Sequence, residues 1–355
     1  MMYWDKTTIE RLRRGYYSAA YFNRTKYILE QDHDETIVTM QIFQRNDQSV
    51  LCGIDEVVEL LRVGAGTWRG KRWMSKRQLL TVTALSDGVK VNVSETVMHI
   101  TGPYVYFAHL ESLYLGILAR RTMAATNTRR VVEAANGKPV FFFADRFDDF
   151  HTQEGDGYAA HIGRAAGVCT AAHASRWNGV PVGTIPHSLI AVSGGETIKA
   201  TQRFAKHIQG ANIVALVDFD NDCVGTSLAV AKAHGKKLWG VRLDTAGNLI
   251  DKSLSKNRNT KNTFGVNPLL VWAVRKALND NGYAHVKILV SGGFTEDKVR
   301  MFEKEKTPVD SYGVGSALVH GHNDFTADVV KVNGKKMAKA GRVYTPNTRL
   351  RLVRL

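Results

Sequence analysis

Cysteine is scarce: Cys52, Cys169 and Cys223 stand far apart in 355 residues, and their number is odd. A disulfide framework or a zinc site needs cysteines at short spacing, so the expectation is three reduced thiols. No long apolar run exists either. The most apolar stretch, Tyr104 to Ala119, is interrupted by His109 and Glu111 and is too short and too polar to cross a bilayer. The first fourteen residues hold Asp5, Lys6, Glu10, Arg11, Arg13 and Arg14 with no apolar run behind them, which is not a signal peptide. A dinucleotide fingerprint is missing, because Gly64, Gly66 and Gly70 have the wrong spacing and no strand before them. Internal repeats and low-complexity segments are absent. These absences lead to the expectation of a soluble, cytoplasmic protein with no membrane partner.

What is present is globular composition, 44% hydrophobic and 23% charged residues. The length suggests about two structural units. A net charge of +15 points to an anionic partner. The charge is uneven, since Lys331 to Leu355 contains eight basic residues and no acidic one. A basic nucleic-acid-binding protein is the alternative of a different class. The tail lacks interleaved aromatics beyond Tyr344, however, and Val330–Lys335 (VKVNGK) has the pattern of a hairpin. Lysines placed over a polyphosphate account for the same charge, and no nucleic acid is expected.

Two patterns divide the chain. In the first hundred residues, Thr36–Phe43 and Val89–Val93 have strand composition, and Asp55–Val63 is a short amphipathic helix. After about Tyr106, apolar runs alternate with helical segments that stop at glycine. The runs are Pro139–Ala144, Val180–Ile185, Ile213–Asp218, Leu238–Leu243, Val286–Val290 and Tyr312–Val314. The helices are Glu111 to Asn136, Glu196 to Gln209, Val224 to His234 and Pro268 to Asn281. Short apolar strands alternating with helices predict a parallel sheet buried on both faces, here an α/β barrel. Basic Lys252–Lys261 reads as a long loop between two barrel strands.

Ligands of such a barrel bind at the carboxyl ends of the strands. Those ends carry Asp145-Arg146, Pro186-His187, Asp218 to Asp222, Asp244-Thr245, Ser291-Gly292-Gly293 and Gly315-Ser316. The last two strands end in glycine and lead toward helices, so their freed amides can hold a phosphate without side-chain charge. The acidic run Asp218 to Asp222 superficially suggests a calcium loop, but Cys223 and Ala229 stand where that loop needs Gly and Glu. Asp218 and Asp244 follow apolar runs directly and are the better candidates to hold Mg²⁺ or meet sugar hydroxyls. His187 closes Gly-Thr-Ile-Pro-His at a strand end. His320 and His322 are read as surface residues.

Gly15–Thr25 (GYYSAAYFNRT), Gly53–Leu61 (GIDEVVELL), Phe141–Arg146 (FFFADR), Gly183–Ser188 (GTIPHS), Val241–Thr245 (VRLDT), Val290–Gly293 (VSGG), Tyr312–Ser316 (YGVGS) and VKVNGK resemble, in this order, nicotinate phosphoribosyltransferases of the shorter archaeal type. The resemblance implies a type II phosphoribosyltransferase fold, an irregular TIM-like α/β barrel (residues 109–319) beside a mixed α+β domain from residues 1–108 completed by 320–355. It implies an enzyme joining nicotinate to phosphoribosyl pyrophosphate (PRPP) with coupled ATP hydrolysis and Mg²⁺, its active sites shared across a homodimer. His187 would be the histidine phosphorylated by ATP, and Asp218 and Asp244 would be catalytic and place Mg²⁺. Arg242, Asp244 and Thr245 would contact ribose and pyrophosphate; Gly292, Gly293, Gly315 and Ser316 would hold the 5-phosphate, with Thr184, Ser291 and Gly313 also binding substrate. Arg146 would hold the carboxylate of the base, followed by Phe147 where relatives carry a second arginine. Tyr21 would stack on the pyridine across the dimer, since no strand end supplies an aromatic platform. A phosphoribosyltransferase acting on another base, such as quinolinate, is the near alternative.

Overall fold

The structure, a computed structural model, describes residues 3–257 and 263–355. They fall into two units, Asn127–His320 and Met1–Thr126 with Gly321–Leu355. The helix Glu111–Ala134 carries the chain out of the second of these and into the first.

In Asn127–His320 six strands form one sheet: β1 (Val140–Phe142), β2 (Gly167–Val168), β3 (Ile213–Leu216), β4 (Leu238–Leu243), β5 (Lys287–Val290) and β6 (Ser311–Val314). All pairs are parallel, in the order β3-β4-β5-β6-β1-β2. Strand period 2 sorts the residues. Val140, Phe142, Ala215, Val217, Val241, Leu243, Ile288 and Val290 are buried in the main apolar core of this unit. Their neighbours Phe143, Leu216, Arg242 and Asp244 face a cavity instead. Helix starts are fixed by side-chain caps. Asp222 Oδ1 accepts from Gly225 N at 2.9 Å to open Cys223–His234, and Asn267 Oδ1 accepts from Leu270 N at 3.0 Å ahead of Pro268.

The expected strand Val180–Ile185 does not form; it is reduced to one parallel bridge between Pro181 and Val168. Pro181 and Pro186 lack the amide that a ladder requires. The barrel is therefore irregular, a curled parallel half-barrel. The two-residue strand Gly167–Val168 was invisible as a run. Of the expected loop Lys252–Lys261, Lys252–Asn257 form a 3₁₀ helix and residues 258–262 lie outside the described residues.

The other unit is built on a six-stranded antiparallel sheet. Its order is Lys335–Lys336, Phe325–Val332, Ile37–Gln44, Thr96–Pro103, Thr81–Ala84, Arg351–Val353, so the C-terminal segment supplies both edges. Lys331 pairs Lys336 and Val332 pairs Lys335 around Asn333 (φ 45°) and Gly334 (φ 77°), the two left-handed residues that a tight hairpin needs. The helix Ile54–Gly64 buries Val57, Val58, Leu60 and Leu61. Part of the tail's charge is structural: Arg342 binds Asp328 and Arg349 binds Glu95, each at 2.6 Å. Lys335, Lys336 and Lys339 are exposed and form no ion pair among the described residues.

Candidate active site

The strand ends of the barrel unit surround a cavity of about 450 Å³ whose wall includes Phe143, Asp145, Arg146, Thr184, His187 and Asp244. Beside it, a second cavity of about 80 Å³ is lined by Arg242, Ser291, Gly292, Gly293, Gly313, Gly315 and Ser316 together with Phe143, Arg146 and Asp244.

His187 opens the short helix His187–Ala191, and Asp218 lies two residues past β3. The imidazole Nε2 is 3.0 Å from Asp218 Oδ2, with the His side chain 46% exposed and the Asp only 7%. A carboxylate accepts from Nε2–H, which leaves the lone pair on Nδ1. Burial raises the Asp218 pKa above the ordinary carboxylate value, opposed by His187 and reinforced by the charge of Asp244. Asp218 Oδ1 is buried and has no hydrogen-bond partner among the described residues.

Arg242 and Asp244 face the cavity because they are two apart on β4 and its extension. Arg242 donates through Nε to Ser291 Oγ (2.8 Å), through Nη1 to Thr184 Oγ1 (3.0 Å) and through Nη2 to Asp244 Oδ2 (3.2 Å). Ser291 Oγ in turn donates to Asp244 Oδ1 at 2.7 Å. Three predicted residues thus lock the guanidinium of a fourth in place over the Phe143 ring, 5.4 Å from its centroid. Thr245, one residue on, is turned to the other side. It is buried, and its Oγ1 lies 3.4 Å from Cys223 Sγ rather than on either cavity wall.

Gly313 and Gly315 have a packing reason to be glycine. A Cβ at Gly313 would come within 2.6 Å of the Phe143 ring, and one at Gly315 within 2.4 Å of Phe147 and 2.7 Å of the Phe143 carbonyl oxygen. The amides of Gly292, Gly293, Gly315 and Ser316 have no acceptor among the described residues. Arg146 is exposed, sits 5.6 Å from the Phe147 ring centroid and, among the described residues, forms no ion pair with the acids around it.

Tyr21 lies on the helix Ala20–Gln31 of the other unit, 63% exposed. The expectation that no strand end supplies an aromatic surface is corrected, for Phe143 directly follows β1 and faces the cavity. Asp222 is a helix cap and Asp220 is exposed, which accounts for the rest of the acidic run. Asp145 stands on the wall as its strand end predicts, but sequence reasoning missed Cys169, whose thiol donates to Asp145 Oδ1 at 3.2 Å and is pushed up to about 12, mainly by burial. The only signal for Phe143 was its spacing of two from Phe141.

The donors suit magnesium and not zinc. No group of three or more His, Cys, Asp or Glu that could hold a metal exists among the described residues. Asp218 and Asp244 offer hard carboxylate oxygens, one of them buried without a partner among the described residues. Mg²⁺ is commonly held by one or two carboxylates while keeping waters and substrate phosphates.

A sequence profile described as the N-terminal domain of quinolinate phosphoribosyl transferase matches residues 19–122. The solved structure of nicotinate-nucleotide pyrophosphorylase from Pyrococcus furiosus superposes with a TM-score of 0.81 at 30% identity, over 99% of this chain and 85% of that one. The chain belongs to the type II phosphoribosyltransferases. Among curated members of that family, nicotinate phosphoribosyltransferase pncB1 of Mycobacterium tuberculosis is 31% identical over 242 residues, 66% of this chain and 49% of its own length. For pncB2 of the same organism the identity is 26% over 292 residues, 78% of this chain and 57% of the relative. This phosphoribosyltransferase thus spans about half the length of the curated relatives it matches. Human nicotinic acid phosphoribosyltransferase shares the fold, with a TM-score of 0.68 at 15% identity over 92% of this chain and 77% of that one. No helix among the described residues is long and apolar enough to cross a membrane.

Proposed function

We propose that this type II phosphoribosyltransferase is a nicotinate phosphoribosyltransferase of NAD biosynthesis, forming nicotinate mononucleotide and pyrophosphate from nicotinate and PRPP. The observation that carries the reading is the convergence of the His187–Asp218 pair, the Arg242–Asp244–Ser291 array and two glycine loops on adjoining cavities. The C1–N bond to the pyridine nitrogen forms while the C1–O bond breaks and its electron pair leaves with pyrophosphate. The ring nitrogen is free at neutral pH, so no general base is needed. Positioning and charge complementarity then supply the catalysis. Arg242 and Asp244 orient ribose and pyrophosphate, the amides at Gly292, Gly293, Gly315 and Ser316 take the 5-phosphate, and Arg146 takes the carboxylate. Asp218 and Asp244 would hold Mg²⁺ through waters. Bound there, the ion supplies charge neutralisation for the departing pyrophosphate.

ATP coupling is part of the proposal. His187 Nδ1 attacks the γ-phosphorus as its bond to the ADP oxygen breaks, with Asp218 holding the ring through Nε2. A homodimer shares its sites, Tyr21 and the unpaired Lys335, Lys336 and Lys339 reaching the neighbouring subunit. A fully active monomer in light scattering at assay concentration would refute the sharing. Quinolinate is less well served, because a dicarboxylate needs a second free arginine and Arg242 is already bound to Asp244. The deciding experiment assays nicotinate, nicotinamide and quinolinate with PRPP and Mg²⁺, with and without ATP. Turnover of nicotinate, stimulated by ATP, is expected; turnover of quinolinate alone would overturn the assignment.

A further inference from the structure

The Ser291-Gly292-Gly293 turn contains a peptide that could face the small cavity with either edge. Gly292 and Gly293 both have left-handed backbone, φ 90° and 66°. With no Cβ on either side, the plane between them has little steric resistance to rotation. A trans peptide carries its carbonyl and its amide on opposite edges. Turned one way, the loop offers an anion a hydrogen-bond donor; turned the other way, it offers a repelling oxygen.

Lys298 bears on that choice. It lies in the first turn of the helix Glu296–Lys304, capped by Thr295 Oγ1, which accepts from the Lys298 amide at 3.3 Å. Its Nζ is 3.4 Å from the carbonyl oxygen of Gly292 and 4.4 Å from the Phe294 ring centroid. No carboxylate pairs with it among the described residues, and burial lowers its pKa. Both glycines line the small cavity, while Lys298 is not part of that wall. The Gly292 carbonyl is therefore drawn to a cation off the wall. The Gly293 amide, on the opposite edge, has no acceptor among the described residues.

We infer that Lys298 is a positioning residue of the phosphate loop: its ammonium holds the Gly292 carbonyl away from the small cavity and so keeps the Gly293 amide turned toward the 5-phosphate. This rests on the reading of the loop given above. Lys298 acts through the peptide and touches no substrate, so it should govern ground-state affinity for the phosphoribosyl group and leave chemistry at the anomeric carbon alone.

The test is Lys298→Met, which keeps the stem over Phe294 and removes the charge, beside Lys298→Arg, which restores a cation. Dissociation constants for PRPP and for ribose 5-phosphate are measured by calorimetry, and KM and kcat by assay. Lys298→Met should weaken both ligands about tenfold and raise the KM for PRPP equally, with kcat and the KM for nicotinate within about twofold and Lys298→Arg near wild type. Unchanged ribose 5-phosphate affinity in Lys298→Met, or a loss confined to kcat, or failure of Lys298→Arg to restore binding, overturns the inference. If Lys298→Met does not fold, Lys298→Gln is read by the same criteria. Wild-type protein that binds neither PRPP nor ribose 5-phosphate would instead overturn the functional reading on which the inference stands.

Discussion

His187 and Asp218 differ in exposure, and the difference sets their roles. The exposed imidazole can meet a nucleotide, while the buried carboxylate holds it through Nε2. His187→Ala should abolish ATP hydrolysis coupled to the reaction and leave slow PRPP-dependent product formation; unchanged ATPase would remove the phosphohistidine assignment. Because burial raises its pKa, Asp218 takes up a proton at a higher pH than an ordinary aspartate as the solution is acidified. The acid limb of the ATPase profile should therefore lie above the usual carboxylate range, and Asp218→Asn should remove that limb along with most of the rate. Arg146 forms no ion pair with Asp145, Asp148 or Asp149, as a purely structural arginine in that company would. Losing the forked contact proposed for it with a carboxylate should cost about 2 to 4 kcal/mol, on the order of 30- to 1000-fold in kcat/KM for nicotinate. Binding of PRPP to Arg146→Ala should barely change, which calorimetry can check.

Elements of the barrel unit pack closely enough that single methyl groups matter. Gly157, in the helix Gln153–Ile162, faces the backbone of His173 so closely that a Cβ would fall 2.1 Å from its carbonyl oxygen. Backbone cannot step aside as a flexible side chain can. Gly157→Ala should therefore destabilise by about 1 to 3 kcal/mol, measured as a lower denaturant midpoint, although alanine is the better helix former. The run Val180–Ile185 has strand composition, but Pro181 brings no donor to a ladder and Pro186 follows the run with none, so only one bridge forms. The opposite holds for Gly167–Val168. Two residues give no period to read, yet they pair as an edge strand with β1, whose apolar run was in plain sight.

At the scale of the molecule, two histidines of the sheet-based unit should make the fold acid-sensitive. Burial lowers His99 to about 4, helped by Lys331, and lowers His109 to about 3. A histidine whose folded pKa lies below the unfolded value near 6.5 adds its stability above that value and loses it as pH falls toward the folded pKa. Unfolding free energy should thus decline from about pH 6.5 downward, and His99→Gln with His109→Gln should flatten the decline. A slope unchanged in the double variant would place the acid sensitivity elsewhere. The charge excess is likewise divided only by the fold. Arg342 and Arg349 are tied to acids, whereas Lys335, Lys336 and Lys339 remain available to an anionic partner.

The sequence by itself determined the alternation of apolar strands and capped helices, the glycine-ended loops after the last two strands, and the family, because these depend on local pattern and on the order of short motifs. It placed Asp218, Asp244 and Ser291 at strand ends, since an apolar run ends where its polar neighbour begins; Arg242 came from the resemblance, and the strand expected before His187 does not form. Only the tertiary structure decided which of them meet. Arg242 reaches Thr184 and Ser291 across positions 58 and 49 apart in the chain, a closeness set by the curl of the sheet. The same curl brought Phe143 into the cavity wall, and the two-residue alternation of β4 turned Thr245 into the core while Asp244 stayed outside it. The direction a side chain faces is fixed by register and packing, which no single stretch of sequence records.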